Sequence, residues 1–228
     1  LFNYSGRIMI SERAGILMEY HKRLDAWQEE GPNKIGTTKS GIGPFYQDNA
    51  RRATRITTVD YVSDTFPKRL REVLHAKKHE LLLADITSDI NDYAEHLLSI
   101  HDPLRHHLAS SIERLEYRLQ EYLSQGHHII IEGAQGTMLD VDMGSLPEVT
   151  SSHLLMPNAF ASLGLPRKEF RVHGVEKVYP TRVGDGDLPT LATDSFAEVS
   201  HYAGEVGATT RRKRRVGYPD WVLIRRSI

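Results

Sequence analysis

Three short stretches of this 228-residue chain combine glycines, hydroxyls and arginines in ways that suit anion chemistry. In Gly36-Thr37-Thr38 the glycine lets backbone approach an anion closely, and two hydroxyls can donate to phosphate oxygens. It is not a Walker loop, because G-x-x-x-x-G-K-[ST] is absent, and a plain turn suits these residues equally well. In Glu132-Gly133-Ala134-Gln135-Gly136-Thr137, Gln135 sits between small residues and could bond a base edge or a phosphate. A tight strand–helix turn is the other reading, and Thr150-Ser151-Ser152 adds hydroxyl donors downstream. In the stretch 207–215, Thr209 and Thr210 can bind a carboxylate, and the run 211–215 offers bidentate partners for carboxylate or phosphate. Such a pairing suits an amino acid beside a phosphorylated nucleotide. The three loops are expected to line one site, with 36–38 and 132–136 on the nucleotide and 207–215 mainly on the amino acid.

Other chemistry-bearing residues read as structural. Asp140 and Asp142 alternate after the second loop and could ligate Mg²⁺, but no third oxygen ligand is in view, so a structural role is favoured. The 12 histidines match no metal-ligand spacing. The absence of cysteine excludes disulfides, cysteine-ligated zinc and a cysteine nucleophile, and permits a reducing compartment. Net charge is −1, so no global field steers the chain onto nucleic acid. The basic run 211–215 lacks interleaved aromatics, which argues against nucleic-acid binding, and its bland reading is a solvated face. Hydrophobic residues at 39% and charged residues at 26% fit a globular chain with a sizeable core. No stretch approaches the roughly 20 apolar residues needed to span a bilayer, and no signal peptide is visible, so no membrane role and a cytoplasmic location are expected.

These loops need elements to position them. Arg7–Ile10 predicts a strand, and Ser11–Glu29 has helical periodicity through Ile16, Leu17, Tyr20, Leu24 and Trp27, ended by Gly31-Pro32. The region from Thr58 to Leu123 predicts a mostly helical insert, with amphipathic stretches at 67–83, 88–100 and 104–123 and a stop at Gln125-Gly126. His127–Glu132 predicts a short buried strand, and Val172–Val183 a second strand region. Ser195 with Glu198 predicts a capping box opening a helix to about Ala203. Strands alternating with helices point to an α/β class. The chain starts at Leu1 and ends within an apolar run, which is expected of an internal segment of a longer protein.

Taken together, Ile35–Pro44 (Ile-Gly-Thr-Thr-Lys-Ser-Gly-Ile-Gly-Pro), Glu132–Asp142, Val149–Ser152, Thr181–Gly186 and Gly207–Thr210 with its following arginines resemble the adenylosuccinate synthetase family. Order and approximate spacing match from about Arg7 to Arg226. The resemblance implies an α/β fold with a P-loop-NTPase-like sheet flanked by helices, residues 1–228 forming the central part of a single domain. It implies a ligase of AMP biosynthesis: GTP phosphorylates the 6-oxygen of IMP, and the amino group of aspartate displaces the phosphate. Mg²⁺ and a homodimer are implied as well.

Carried over by position, the resemblance assigns Thr38, Gln135 and Thr150 to IMP, with backbone at Val183 near the ribose. Arg52 would reach the IMP phosphate of the neighbouring subunit, with Arg51 as the fallback if the alignment slips by one. Thr209, Thr210, Arg212 and Arg214 would cradle aspartate, with Arg212 also close to IMP. Gln135 would stabilise the 6-oxyanion as the one catalytic residue within the chain. The family's GTP-phosphate loop with its catalytic aspartate, its histidine acid, its guanine-reading motif and the Mg²⁺ ligands have no counterpart in these residues, so the segment alone is expected not to turn over. Departures from the family pattern are Arg211 where glycine is usual, Ser40 where Lys or Arg is usual, Met143 where His is common, and 153–160 in place of a glycine- and threonine-rich segment. They leave open a divergent relative with another purine nucleotide or amino acid. A non-catalytic nucleotide-binding homologue is a further alternative.

Overall fold

The segment 14–18 carries helical spacing but forms no helix, because a tertiary pairing claims its backbone. Gly15 bridges Thr57 antiparallel, and Ile16 N donates to Ile56 O at 2.9 Å. A Cβ on Gly15 would lie 2.5 Å from the Phe45 ring, so this close pass needs the glycine. The first helix, α1 (Glu19–Gln28), is therefore shorter than its periodicity predicts. In the computed structural model, residues 6–32, 34–166, 170–184, 186–207 and 211–227 are described, and they fall into two compact units. The first unit takes the described residues of 1–28, 39–133 and 157–167; the second takes those of 29–38, 134–156 and 168–228.

The first unit is a helical body with a minimal sheet. Strand β1 (Ile10–Ser11) pairs in parallel with β2 (Ile112–Glu113). After α1 come α2 (Ile42–Arg51), α3 (Thr58–Val62), α4 (Phe66–Ala76), α5 (Lys78–Leu83) and α6 (Ile90–Leu108). Two N-caps fall where side-chain oxygens can take orphan amides: Thr57 with Asp60 forms a capping box for α3, and Asp89 accepts from Asn91 and Asp92 at the head of α6. Met18, Tyr20, Leu24, Phe66, Leu70, Leu74, Leu81 and Leu97 form the buried core. Burying each such side chain contributes roughly 1.5–3 kcal/mol, which explains why the amphipathic stretches of 58–108 fold as helices.

A buried polar cluster lies within this core. Asp48 accepts from Lys77 Nζ at 2.8 Å, His21 Nε2 at 2.9 Å and Thr54 Oγ1 at 3.0 Å, with the Tyr20 hydroxyl at 3.3 Å. Met18 N donates to His21 Nδ1, so the ring proton sits on Nε2 and faces Asp48. Burial alone would raise the Asp48 carboxyl, but the hydrogen bond from His21 and the Lys77 ammonium hold it below its ordinary value. The second glycine of the 35–44 stretch belongs to this body as well. Gly41 has φ +84°, donates to Asp25 Oδ2 at 2.8 Å, and a Cβ there would sit 2.7 Å from Lys22 N. Its role is the close approach of α1 and α2 rather than phosphate binding.

Several expectations are corrected. The single amphipathic stretch 104–123 is broken: α6 ends at Leu108, a 3-10 turn follows, and β2 intervenes before α7 (Leu115–Ser124). Residues 112–113 cannot stay helical because the pairing with β1 claims their backbone. The predicted strand 127–132 is not formed; among the described residues it finds no ladder partner, and Ile130 is 93% exposed. Gly126, at φ +80°, does end α7 as expected. Helix α8 (Met156–Leu163) follows the 140–155 loop.

In the second unit, only Thr181–Arg182 of the predicted 172–183 strand region is β-structure. This strand, β3, pairs antiparallel with β4 (Arg215–Val216), while Val175 and Val178 are exposed. The cap near 195 is one residue earlier than expected: Asp194, not Ser195, accepts from Phe196 N. A 3-10 turn then leads into α9 (Val199–Tyr202), and α10 (Trp221–Ser227) closes the described chain. The α/β class stands, with a mostly helical 58–123 segment and strands only two residues long.

Candidate functional site

The second unit gathers three separated stretches, 29–38, 134–156 and 168–228, and with them the described site residues Thr38, Gln135, Thr150, Val183, Arg212 and Arg214. Arg52 belongs to the first unit, where it is exposed at the end of α2 with φ +58°. Thr209 and Thr210 lie outside the described residues.

The glycine-rich loop is bound from both of its polar sides. Its amides are already used: Ile35 N donates to Glu29 Oε1 at 3.0 Å, and Gly36 N and Thr37 N donate to Glu29 Oε2 at 2.9 and 3.0 Å. Its carbonyls accept from Arg212, whose Nη2 lies 3.1 Å from Gly36 O and 3.2 Å from Thr37 O. Gly184, at φ +83°, passes close by; a Cβ there would lie 3.4 Å from Gly36 O. Arg215 Nη2 in turn donates to the carbonyls of Gly184 (2.9 Å) and Gly186 (2.6 Å). The loops at 36–38, 181–186 and 211–215 thus converge through guanidinium–carbonyl bonds, with Val183 beside them in sequence.

The arginine run pairs back on the residues before it, and Arg211, Arg212 and Lys213 remain exposed to solvent. Val206 bridges Lys213, and Gly207 N donates to Arg212 O at 2.8 Å. Arg211 takes φ +56°, a left-handed conformation that costs a side-chain-bearing residue roughly 1–2 kcal/mol. This is the position where the sequence departs from a usual glycine. Arg214 Nη1 lies 3.5 Å from Glu205, which also accepts from Lys177 at 2.6 Å and Tyr179 at 3.1 Å. The Lys177 hydrogen bond chiefly holds the Glu205 carboxyl below its ordinary range.

Gln135 and Thr150 belong to a loop system built on Asp140. Gln135 is exposed with φ +60°. Thr150 N donates to Leu139 O at 2.9 Å, and Val141 N donates to Ser152 O at 3.2 Å. Asp140 is buried and accepts from the amides of Leu154 (2.5 Å), Met143 (3.0 Å) and Asp142 (3.0 Å). Those amides, Leu154 foremost, push its carboxyl down to about 2. Its stabilising contribution is therefore complete above the ordinary carboxylate value near 3.9 and is lost as pH falls through about 2. We expect the amides of 142–154 to lose hydrogen-exchange protection over that acid window. Asp140→Asn should weaken their protection already at pH 7; equal protection at pH 7 and below pH 2 would contradict this.

The same bonds answer the metal question. Asp140 spends its oxygens on amides, and Asp142 pairs with His153 at 3.3 Å. Among the described residues, no group of three or more His, Asp or Glu side chains could hold an ion. Partnered in this way, Asp140 and Asp142 do not fit Mg²⁺.

Of the residues that shape these loops, Glu29 and Glu205 were not marked by their sequence context. The one available signal was an acid seven residues ahead of a glycine-threonine loop, too common a pattern to single out Glu29.

Helices packed on short parallel and antiparallel pairs, with glycine and arginine loops gathered in one unit, define a mixed α/β fold of the nucleotide-binding class. The family model for adenylosuccinate synthetase matches residues 2–228, and the chain belongs to that family. It is 40% identical to the adenylosuccinate synthetase of Chlorobaculum tepidum over 240 residues, covering 100% of this chain and 53% of the relative. It is 37% identical to that of Brugia malayi over 228 residues, covering 97% of this chain and 51% of the relative. The structure of fully ligated adenylosuccinate synthetase from Plasmodium falciparum superimposes with a TM-score of 0.82 at 30% identity, covering 93% of this chain and 50% of that one. The chain spans about half the length of the curated relatives it matches.

Proposed function

We propose that this chain supplies the IMP- and aspartate-contacting part of one larger adenylosuccinate synthetase domain, which ligates aspartate to IMP with GTP in AMP biosynthesis. The observation that carries the reading is the pair of Arg212 bonds to Gly36 and Thr37, which ties the amino-acid loop to the nucleotide loop across the sequence. Thr38, Gln135, Thr150 and the backbone at Val183 contact IMP. Thr209, Thr210, Arg212 and Arg214 hold aspartate, with Arg212 also near IMP. Arg52 serves the IMP phosphate of the neighbouring subunit in a homodimer. The chemistry follows from leaving-group strength: the 6-oxygen of IMP leaves poorly until GTP phosphorylates it, and aspartate then displaces phosphate from 6-phosphoryl-IMP. Holding both reactants in contact removes much of the entropic barrier. We place the protein in the cytoplasm; among the described residues, no helix is long and apolar enough to cross a membrane.

The test is adenylosuccinate formation from IMP, aspartate and GTP by the full-length protein, with IMP affinity measured in parallel. Thr38→Ala should weaken IMP binding at least about tenfold, the cost of a lost hydrogen bond to a charged group. No adenylosuccinate from the full-length protein would overturn the reading. Arg211, Ser40 and the segment 153–160 leave one variant of it, a relative with another purine nucleotide or amino acid; competing amino acids against aspartate, and IMP against other purine nucleotides, in the same assay decides between them.

A further inference from the structure

Glu29 is not among the residues assigned to substrate, yet its carboxylate makes three bonds to consecutive amides of the loop that precedes Thr38. Consecutive amides converging on one anion form a nest, the same geometry that elsewhere cradles phosphate. Here a protein carboxylate fills it. Both oxygens are used, one on Ile35 and the other shared by Gly36 and Thr37. Hydrogen bonds to an ionised acceptor are about twice as strong as neutral ones, and three of them act within three residues. Gly36 has φ +77°, a conformation glycine adopts without penalty, so the nest forms at little backbone cost. Arg212 holds the opposite, carbonyl side of Gly36 and Thr37.

Two conclusions follow from this geometry. The amides of 35–37 are not the substrate's phosphate cradle, because Glu29 occupies them. The loop's shape also depends on a carboxylate outside it, and Thr38 is the next residue along. We infer that Glu29 is a positioning residue: it sets the Gly36-Thr37 backbone so that Thr38 meets the nucleotide and Arg212 can bridge to the amino-acid side. The inference rests on the nucleotide reading given above.

The test compares Glu29→Ala, Glu29→Gln and Thr38→Ala in the full-length protein. Glu29→Ala should weaken IMP binding about tenfold and raise the KM for IMP while leaving the KM for GTP unchanged. Glu29→Gln keeps one acceptor oxygen and should recover part of the loss, to about threefold. Amide exchange at Ile35, Gly36 and Thr37 should accelerate at least about tenfold in Glu29→Ala, with the amides of α6 unaffected. Wild-type IMP affinity in Glu29→Ala, with Thr38→Ala weakened, overturns this inference alone. Tighter binding in Glu29→Ala also overturns it, since Glu29 would then be competing with the substrate for the amides. Wild-type affinity in Thr38→Ala overturns the nucleotide reading instead.

Discussion

Lys77→Ala lowers the unfolding free energy by about 3–5 kcal/mol, the cost of leaving a buried charge without its partner. The Lys77 and Asp48 side chains are only 2% and 3% exposed, and their 2.8 Å contact is the charge balance of the core cluster. Lys77 also reaches Glu80 at 2.7 Å, but Glu80 is 28% exposed and finds water when the lysine is gone. Asp48 has no such escape. It keeps the His21, Thr54 and Tyr20 hydrogen bonds, all neutral donors, and must either stay charged in an apolar setting or take up a proton. The control is charge removal on both sides. Asp48→Asn with Lys77→Met should lose clearly less than the sum of the single variants, because the double variant leaves no unpaired charge. Denaturant titration at pH 7 measures both. A loss below about 1 kcal/mol for Lys77→Ala would show that the pair contributes no more than a surface salt bridge.

Gln135→Ala lowers kcat about 100- to 1,000-fold in the full-length protein, the usual effect of deleting one oxyanion donor. The expectation rests on the proposed role of Gln135 at the 6-oxygen of IMP. Its backbone supports that role: Gln135 holds φ +60°, a conformation that non-glycine residues adopt where surrounding structure compels it. The compulsion comes from the neighbouring loop, where Gly136 is extended, Thr137–Leu139 forms a 3-10 turn and Asp140 ties down the amides beyond. Gln135→Glu preserves shape but replaces the amide donor with an anion, so it should be at least as damaging as alanine. A change in kcat below about threefold for Gln135→Ala, with IMP binding intact, would remove Gln135 from the chemistry.

The order and spacing of Ile35–Pro44, Glu132–Asp142, Val149–Ser152, Thr181–Gly186 and Gly207–Thr210 were enough to find the family, and helical spacing was enough to find most of 58–123. Both are local signals: a motif is read along the chain, and 3.6-residue periodicity needs no knowledge of what packs against it. Tertiary structure decided what each loop residue is for. Gly41, within the 35–44 motif, lets two helices touch; Gly36 belongs to a nest, but Glu29 fills it. Arg212 meets Gly36 across 176 positions, a contact no spacing rule contains. Strand boundaries also failed, because an apolar run such as 127–132 becomes a strand only when a neighbour satisfies its backbone, and propensity cannot supply the neighbour. Sequence by itself therefore determined the family. The fold alone decided which hydrogen-bonding groups are already spent within the protein, since only proximity between distant segments pairs a donor with its acceptor.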